Sequence, residues 1–385
     1  MILPEYNGKS IVNLISSIQT ACASKPVYPG LKNLNIDQLI SKKNILLIVL
    51  DGLGYDYIVN NGKGTIFDQY LETKLTSVFP STTAAAITSF TSGVAPKEHA
   101  ITGWFMYFKE VGTASLVLPF CPRFSGISYE MNNIKPEQIF NFSSIYPELK
   151  RERYVITVKY IKDSPFNYYG LKEAERYGYT KLDKFSRLIS KIIKKSKNKS
   201  FIFAYWSEFD KFAHQYGTNS DETYRHFKLL DRSLIELFKK LKGSDTTCLI
   251  TADHGLIDTI PERILNMNDF PELGKMLTLP LCGEPRVPYC YVKASRHDDF
   301  IKYVEENMSG ICELHSSDSL IKQDYFGLYK ENPKLRDRVG DYVLLMKDNY
   351  VLHDWITGEK PFSFIGYHGN LSPEEMYVPL IKLDL

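Results

Sequence analysis

Four continuous apolar, β-branched runs constrain this chain more than any other feature: Asn44–Leu50 (NILLIVL), Tyr154–Tyr160 (YVITVKY), Phe201–Trp206 (FIFAYW) and Thr247–Thr251 (TCLIT). A strand exposed on one face alternates polar and apolar residues, whereas an unbroken apolar strand has to be covered on both faces. Amphipathic stretches of helical period separate these runs. Thr180–Lys195 sets Leu182, Phe185, Leu188, Ile189 and Ile192 on one side, and Asp221–Leu241 does the same with Phe227, Leu230, Leu234 and Leu237. The basic tract Lys191–Ser200 (KIIKKSKNKS) reads as the end of the first of these helices running into a loop. Strands alternating with helices predict an α/β fold built on a doubly wound, mostly parallel sheet.

The segment 256–356 breaks this pattern. It contains a Pro/Gly-rich stretch (LPLCGEPRVP), short strand-like runs at Tyr289–Val292 and Tyr342–Lys347, and a helical stretch near Asp298–Asn307. It reads as a smaller α+β cap inserted into a core made of residues 1–255 and 357–385. A chain of 385 residues is long enough for both parts.

Composition excludes several classes. With 44% hydrophobic and 24% charged residues the chain is neither disordered nor fibrous. Lys plus Arg number 47 against 45 Asp plus Glu, and a formal charge of +2 gives no electrostatic ground for binding a nucleic-acid duplex or an anionic membrane. The longest apolar run, Ile45–Leu50, is too short to span a bilayer. The first residues hold no cationic segment leading into an apolar one, so a signal peptide is not expected. Six cysteines (Cys22, Cys121, Cys248, Cys282, Cys290, Cys312) without CxxC spacing predict buried free thiols and a cytoplasmic protein.

Ligand sites in open α/β sheets gather beyond the carboxyl ends of the strands, and most of the polar clusters in this sequence sit there. Asp51 follows NILLIVL; Asp210 and His214 follow FIFAYW; Asp253 and His254 follow TCLIT; His368 precedes the apolar terminal run Tyr377–Ile381. Thr83 opens a helix of small residues in VFPSTTAAAITSFTSG. Each of these alone has an ordinary explanation as a turn former, a cap or a hydrogen-bonded histidine. Asp210 and His214, four apart, share one face of a helix, a spacing that also suits a salt bridge. Together, three Asp and three His in four clusters match what divalent cations require: carboxylate and imidazole held by rigid elements. A mixed Asp/His set suits Zn2+, with Mn2+ or Fe as alternatives. The remaining histidines, His99, His226, His297, His315 and His353, have no partner motif and read as local hydrogen-bonding or surface groups.

At these residues the sequence resembles the alkaline phosphatase superfamily, and within it the type I phosphodiesterase/nucleotide pyrophosphatase family. The resemblance rests on DG at Asp51–Gly52, FPSTT at Phe79–Thr83, TSGVAPKEHAITG at Thr91–Gly103, Asp210-x-x-x-His214, ADHG at Ala252–Gly255 and HG at His368–Gly369, in the family's order. It implies two adjacent divalent ions, usually zinc. One would be held by Asp210, His214 and His368, the other by Asp51, Asp253 and His254 with Thr83 as a further ligand. Thr82 and Thr83 compete for the nucleophile's place. The family's spacing to the following Gly, here Gly93, selects Thr83. The implied reaction is hydrolysis of a phosphodiester or pyrophosphate bond in a small molecule, such as a nucleotide, through a phospho-threonine intermediate.

One position departs from the family pattern. Trp104 stands where an Asn usually donates to a phosphate oxygen, and its indole offers a single donor or a stacking face. Arg123 and Asn132 are the neighbouring groups that could replace that donor. Rival readings within the superfamily are a phosphomonoesterase or a phosphonate hydrolase. A non-catalytic metal-binding protein is the rival from another class.

Overall fold

A computed structural model describes all 385 residues. Its centre is a seven-stranded sheet in the order Leu71–Thr76, Tyr377–Asp384, Thr246–Thr251, Asn44–Leu50, Ser200–Trp206, Glu152–Val158, Glu175–Tyr179. From Thr246–Thr251 to Glu175–Tyr179 every pairing is parallel. Tyr377–Asp384 runs antiparallel to both of its neighbours. The sheet is therefore mostly parallel, as the alternating pattern predicts. The three strands at the centre of the sheet are covered throughout. Every residue of Asn44–Leu50, Ser200–Trp206 and Thr246–Thr251 is buried.

This order has a direct consequence for the polar clusters. Asn44–Leu50 lies between Ser200–Trp206 and Thr246–Thr251, with Leu50 opposite Trp206 and Val49 opposite Thr251. The residues that follow these three strands emerge side by side at one end of the sheet. The two edge strands without a counterpart among the apolar runs are Leu71–Thr76 (LETKLT) and Glu175–Tyr179 (ERYGY). Both expose polar side chains, as an edge position allows. The helix Ile11–Ala21 also lacks a sequence forecast. It is almost wholly buried, and Asn13 within it donates from its amide to the carbonyls of Tyr6 and Pro29.

A second seven-stranded sheet, antiparallel throughout, forms beside the first. Its order is Cys312–Ser316, Tyr342–Met346, Val287–Cys290, Cys282–Glu284, Phe105–Phe108, Thr113–Leu116, Cys121–Pro122. Four strands come from the segment expected to form the cap. The other three come from 105–122, which the sequence reading groups with the core. The join is one pairing, Gly283 with Phe105. Strands of two to four residues with mixed polarity carry no periodic signal, so their partners are set by tertiary contact alone.

One fully buried ion pair ties the two sheets together near the C-terminus. Arg286 Nη2 lies 2.8 Å from Glu375 Oε2 and its Nε donates to Oε1 at 3.2 Å. The same Oε1 accepts the backbone N–H of Asn370, just past the His368–Gly369 turn. No helix is long and apolar enough to cross a membrane.

Candidate active site

The parallel strands deliver Asp51, Asp210 with His214, and Asp253 with His254 to the same end of the sheet. Asp51 follows its strand directly, Asp253 follows its own after Ala252, and both are buried. Asp210 and His214 lie on the helix Glu208–Tyr216, with His214 Nε2 3.3 Å from Asp210 Oδ2. Close approach of these elements explains Gly52. It adopts φ +73°, and a Cβ there would meet Asp210 Cβ at 2.9 Å. Its N–H donates to Asp253 Oδ1 at 3.1 Å.

Oriented imidazoles complete the cluster. His214 Nδ1 faces the carbonyl of Gly366 at 2.7 Å, His254 Nδ1 that of Gly255 at 3.0 Å, and His368 Nδ1 that of Ser81 at 3.1 Å. Each backbone carbonyl pairs with Nδ1 and so turns Nε2 toward the cluster. The rings of His254 and His368 stack with centroids 3.8 Å apart. Two sets of ligand atoms converge to within 4.8 Å: Asp51, Asp253 and His254, and Asp210, His254 and His368. His254 thus belongs to both sets, while His214 touches the second through Asp210.

The electrostatics of the cluster call for cations. Burial raises the Asp51 carboxyl well above the ordinary range, and the charges of Asp253 and Asp210 add to the shift. Burial, then the neighbouring His254, pushes His368 well below its usual value. At Asp210 burial opposes the charge, but His214 with its hydrogen bond outweighs it and holds the carboxyl low. Asp210 Oδ1 and Asp253 Oδ2 are buried and meet no donor. Buried carboxylate oxygens without partners are costly unless a cation completes them. The residues present therefore fit a pair of divalent ions. Tyr205 supports the arrangement from below, its hydroxyl donating to Asp51 Oδ2.

Thr83 is the first residue of the helix Thr83–Ser92, which has three fully buried alanines in its first turns that let it lie close to the sheet. Its Oγ1 lies 3.1 Å from His254 Nε2 and 3.5 Å from Asp51 Oδ1. The neighbouring Thr82 points elsewhere: its hydroxyl donates to Glu284 Oε1 at 2.6 Å. Of the two adjacent hydroxyls, only Thr83 faces the Asp/His cluster.

A cavity of ≈ 600 Å³ opens above this floor, lined by Thr83, Asp210, His214 and His368 on one side. The antiparallel sheet and the strap 353–367 supply the other walls. Trp104 is on the wall, and its backbone N–H donates to Glu284 Oε1 at 2.7 Å. Arg123 is there too, but its guanidinium is committed. It donates to both carboxylate oxygens of Glu359, at 2.8 and 2.9 Å, and to the carbonyls of Leu281 and Asp354. Its face covers the Phe105 ring at 4.0 Å. Asn132 is exposed in a short 3-10 turn and does not line the cavity. Neither group replaces the missing Asn donor.

Several cavity residues had no sequence signal. Glu284 is buried, and burial pushes its carboxyl up to about 7 against the donors of Thr82 and Trp104. His353 is not a surface histidine: it stacks on Trp355 at 4.7 Å and meets the Tyr367 hydroxyl at 2.9 Å. Trp355, Phe362 and Phe364 form an aromatic wall, and Phe364 reaches the His214 ring at 4.6 Å. An aromatic run in the sequence around Trp355 and Phe362 was the only available hint. His99 does act locally, its two ring nitrogens held by Ser89 and the Ile101 N–H.

Comparison with known proteins agrees with this architecture. Murine ectonucleotide pyrophosphatase/phosphodiesterase 5 superposes with a TM-score of 0.65 at 17% identity, covering 87% of each chain. Its human counterpart gives 0.64 at 15%, covering 88% of this chain and 87% of that one. Phosphonoacetate hydrolase from Sinorhizobium meliloti 1021, solved with phosphonoformate, gives 0.64 at 16%, covering 89% and 90%. A search of curated proteins finds no match. The sequence profile described as type I phosphodiesterase / nucleotide pyrophosphatase matches residues 45–369, from the first core strand to the His368–Gly369 turn. The chain belongs to the type I phosphodiesterase/nucleotide pyrophosphatase family, and it is a phosphoric ester hydrolase of the alkaline phosphatase superfamily.

Proposed function

We propose that this enzyme hydrolyses a phosphodiester or pyrophosphate bond in a small molecule, with Thr83 as nucleophile and a phospho-threonine intermediate. The observation that carries the reading is the position of Thr83 Oγ1, 3.1 Å from His254 Nε2 and 3.5 Å from Asp51 Oδ1 at the floor of the cavity. Asp51, Asp253 and His254 would hold one divalent ion. Asp210, His214 and His368 would hold the other, with His254 next to both. We assign Zn2+ from the mixed carboxylate and imidazole donors, with Mn2+ or Fe as alternatives. Such ions, when bound, supply Lewis acidity and neutralise the charge of the phosphoryl group.

The chain's own residues account for the rest. The start of the Thr83–Ser92 helix offers backbone N–H groups and the positive end of the helix dipole to a phosphoryl oxygen. Thr83 attacks phosphorus and the first ester oxygen leaves as an alcohol or a phosphate. Water then displaces Thr83 from the opposite direction and regenerates its hydroxyl. Asp51, held by Tyr205 and by its place at a strand end, keeps the Thr83 oxygen oriented for both steps. A variant of murine ectonucleotide pyrophosphatase/phosphodiesterase 5 is solved with AMP, and the Sinorhizobium enzyme with phosphonoacetate. The chemistry they share, an organic substituent on a phosphorus oxyanion, is the substrate class we carry over.

The test compares bis-p-nitrophenyl phosphate with p-nitrophenyl phosphate on metal-loaded enzyme, with Thr83→Ala as control. The expected result is diester hydrolysis that falls about 10³-fold or more in the variant. Diester hydrolysis retained by Thr83→Ala would overturn the mechanism.

A further inference from the structure

We propose that Glu284 is a specificity-determining residue, a buried carboxylate that excludes dianionic phosphate monoesters and so restricts the site to monoanionic diesters. The proposal rests on the hydrolase reading above and asks which phosphate esters that same site accepts.

The placement of Glu284 is unusual for an acidic side chain. It comes from the antiparallel sheet, ends the strand Cys282–Glu284, and lies on the cavity wall together with Thr83, Asp210, His214 and His368. Two contacts fix it against the phosphoryl end of the cavity. Oε1 accepts from Thr82 Oγ1, beside the nucleophile, and from the Trp104 N–H, at the position where the family's Asn would donate. On its other side it abuts the turn after His368. Gly369 has φ +123°, and a Cβ there would come within 2.9 Å of Glu284 Cβ. Glu284 thus sits between the segment that carries Thr83 and the one that carries His368. Its second oxygen makes no hydrogen bond within the protein.

Outside the Asp/His cluster and the ions it would hold, the wall sets little positive charge against this carboxylate. Apart from the Asp/His cluster, the charged groups lining the cavity are Glu284, Asp354, Glu359, Arg123 and Lys360. Arg123 is consumed by Glu359 and two carbonyls, and Asp354 Oδ2 accepts the Leu281 N–H. Lys360 is exposed on the strap. Lys360 is thus the one uncommitted cation on the wall, and no ion pair or hydrogen bond holds it beside Glu284. A monoester at pH 8.5 carries two negative charges and a diester one, so a fixed carboxylate at close range penalises the monoester more. Where the family has a neutral amide that donates, this chain places a wall whose acidic group can only accept when ionised.

The experiment uses metal-loaded full-length enzyme at pH 8.5, where the carboxyl is ionised. kcat/KM is measured for bis-p-nitrophenyl phosphate and p-nitrophenyl phosphate in the wild type, Glu284→Gln and Glu284→Asp. Binding of inorganic phosphate, a dianion at that pH, is measured by calorimetry. Glu284→Gln is expected to raise the monoester-to-diester ratio about tenfold or more and to tighten phosphate binding by a similar factor. Glu284→Asp, which keeps the charge, should return the ratio toward the wild-type value. A purely structural role would lower both activities together and leave phosphate affinity unimproved. That result, or an unchanged ratio, overturns the proposal. A wild type that prefers the monoester also overturns it. A wild type that hydrolyses neither ester through Thr83 instead overturns the hydrolase reading on which it stands.

Discussion

The central sheet and the antiparallel sheet beside it supply the same cavity in different ways. The central sheet belongs to one apolar cluster of 76 buried residues, whereas the antiparallel sheet gives that cluster only Met106 and Phe108 and otherwise divides between clusters of 16 and 14. Four of its five parallel strands are fixed in register by neighbours on both sides, and Asp51, Asp253 and the Asp210 helix start where the central three end. The antiparallel sheet is assembled from strands of two to five residues. Besides a small apolar cluster shared with Phe79, Ala100, Leu371 and Met376, two ion pairs fix it to its surroundings, Arg286 with Glu375 and Arg123 with Glu359. The groups that must be placed to a fraction of an ångström lie on the first. Groups that shape and charge the entrance lie on the second. This division predicts that damage to the first removes chemistry, and damage to the second changes which substrate is handled and how well it is held.

The sharpest test of the first half is Asp253→Asn. Asp253 Oδ2 is buried without a donor, and Asp253 raises the Asp51 carboxyl by its charge. Losing one carboxylate removes a ligand from the Asp51, Asp253 and His254 set. Diester hydrolysis should fall about 10³-fold, roughly 4 kcal/mol of barrier, and elemental analysis should show about one ion fewer per chain. In chelator the order of stability should reverse: the variant melts higher than the wild type, because a buried like-charge contact has been relieved. A lower melting temperature in chelator as well as in metal would mean that the carboxylate cluster is stabilised without cations.

Which parts of this were legible in the sequence follows from the same contrast. Asp51, Asp210, His214, Asp253, His254 and His368 could be picked out because unbroken apolar strands announce themselves, and a polar residue at the end of such a strand is conspicuous. Thr83 could be singled out from its helix of small residues, and its choice over Thr82 came from the spacing to Gly93 that the family resemblance implies. The strand order was not, since no local pattern says that Asn44–Leu50 sits between Ser200–Trp206 and Thr246–Thr251. Leu71–Thr76 was hidden because an edge strand alternates and carries Lys74 and Glu72. Glu284 was hidden for a different reason. In LCGEPRV it looks like a turn residue, and only the pairing of Gly283 with Phe105 carries it to Thr82. Arg123 and Glu359 are 236 residues apart, and nothing in either neighbourhood indicates the other.

Arg286→Ala tests the connection between the two regions and should have the next largest effect. Both partners are almost completely buried, so the change leaves Glu375 as an uncompensated charge and frees the carbonyl of Tyr350. The expected loss is about 3–5 kcal/mol of stability, read as a lower denaturation midpoint. If the two sheets unfold as one unit the transition stays single. An early transition confined to the antiparallel sheet would show that the ion pair is what couples them. Replacing both residues, Arg286→Met with Glu375→Leu, should recover part of the loss, because the orphaned charge is gone while the Asn370 N–H and the Tyr350 carbonyl stay unpaired.

Arg123→Ala should have the smallest effect and the most selective one. The guanidinium is buried, but Glu359 can turn to water once released, since its side chain is 18% exposed. The cost to global stability should therefore stay near 1–2 kcal/mol. What is lost is the tether of the strap: Arg123 holds the Asp354 carbonyl at one point and Glu359 at another, with Trp355 between them and Phe362 and Phe364 just beyond. Without it the aromatic wall is no longer held over the cavity, and a bulky diester loses a pre-formed surface that it would have to order on binding. KM for a diester with large aromatic substituents should rise about tenfold, equal to ~1.4 kcal/mol. kcat should stay within a few-fold, because Thr83, Asp51, Asp210 and Asp253 are placed by the central sheet and the helices beside it. Kinetics on bis-p-nitrophenyl phosphate beside a small dialkyl phosphate separate the cases. A KM effect confined to the aromatic substrate supports the division of labour, and an equal fall of kcat on both substrates would show that the strap also positions the nucleophile.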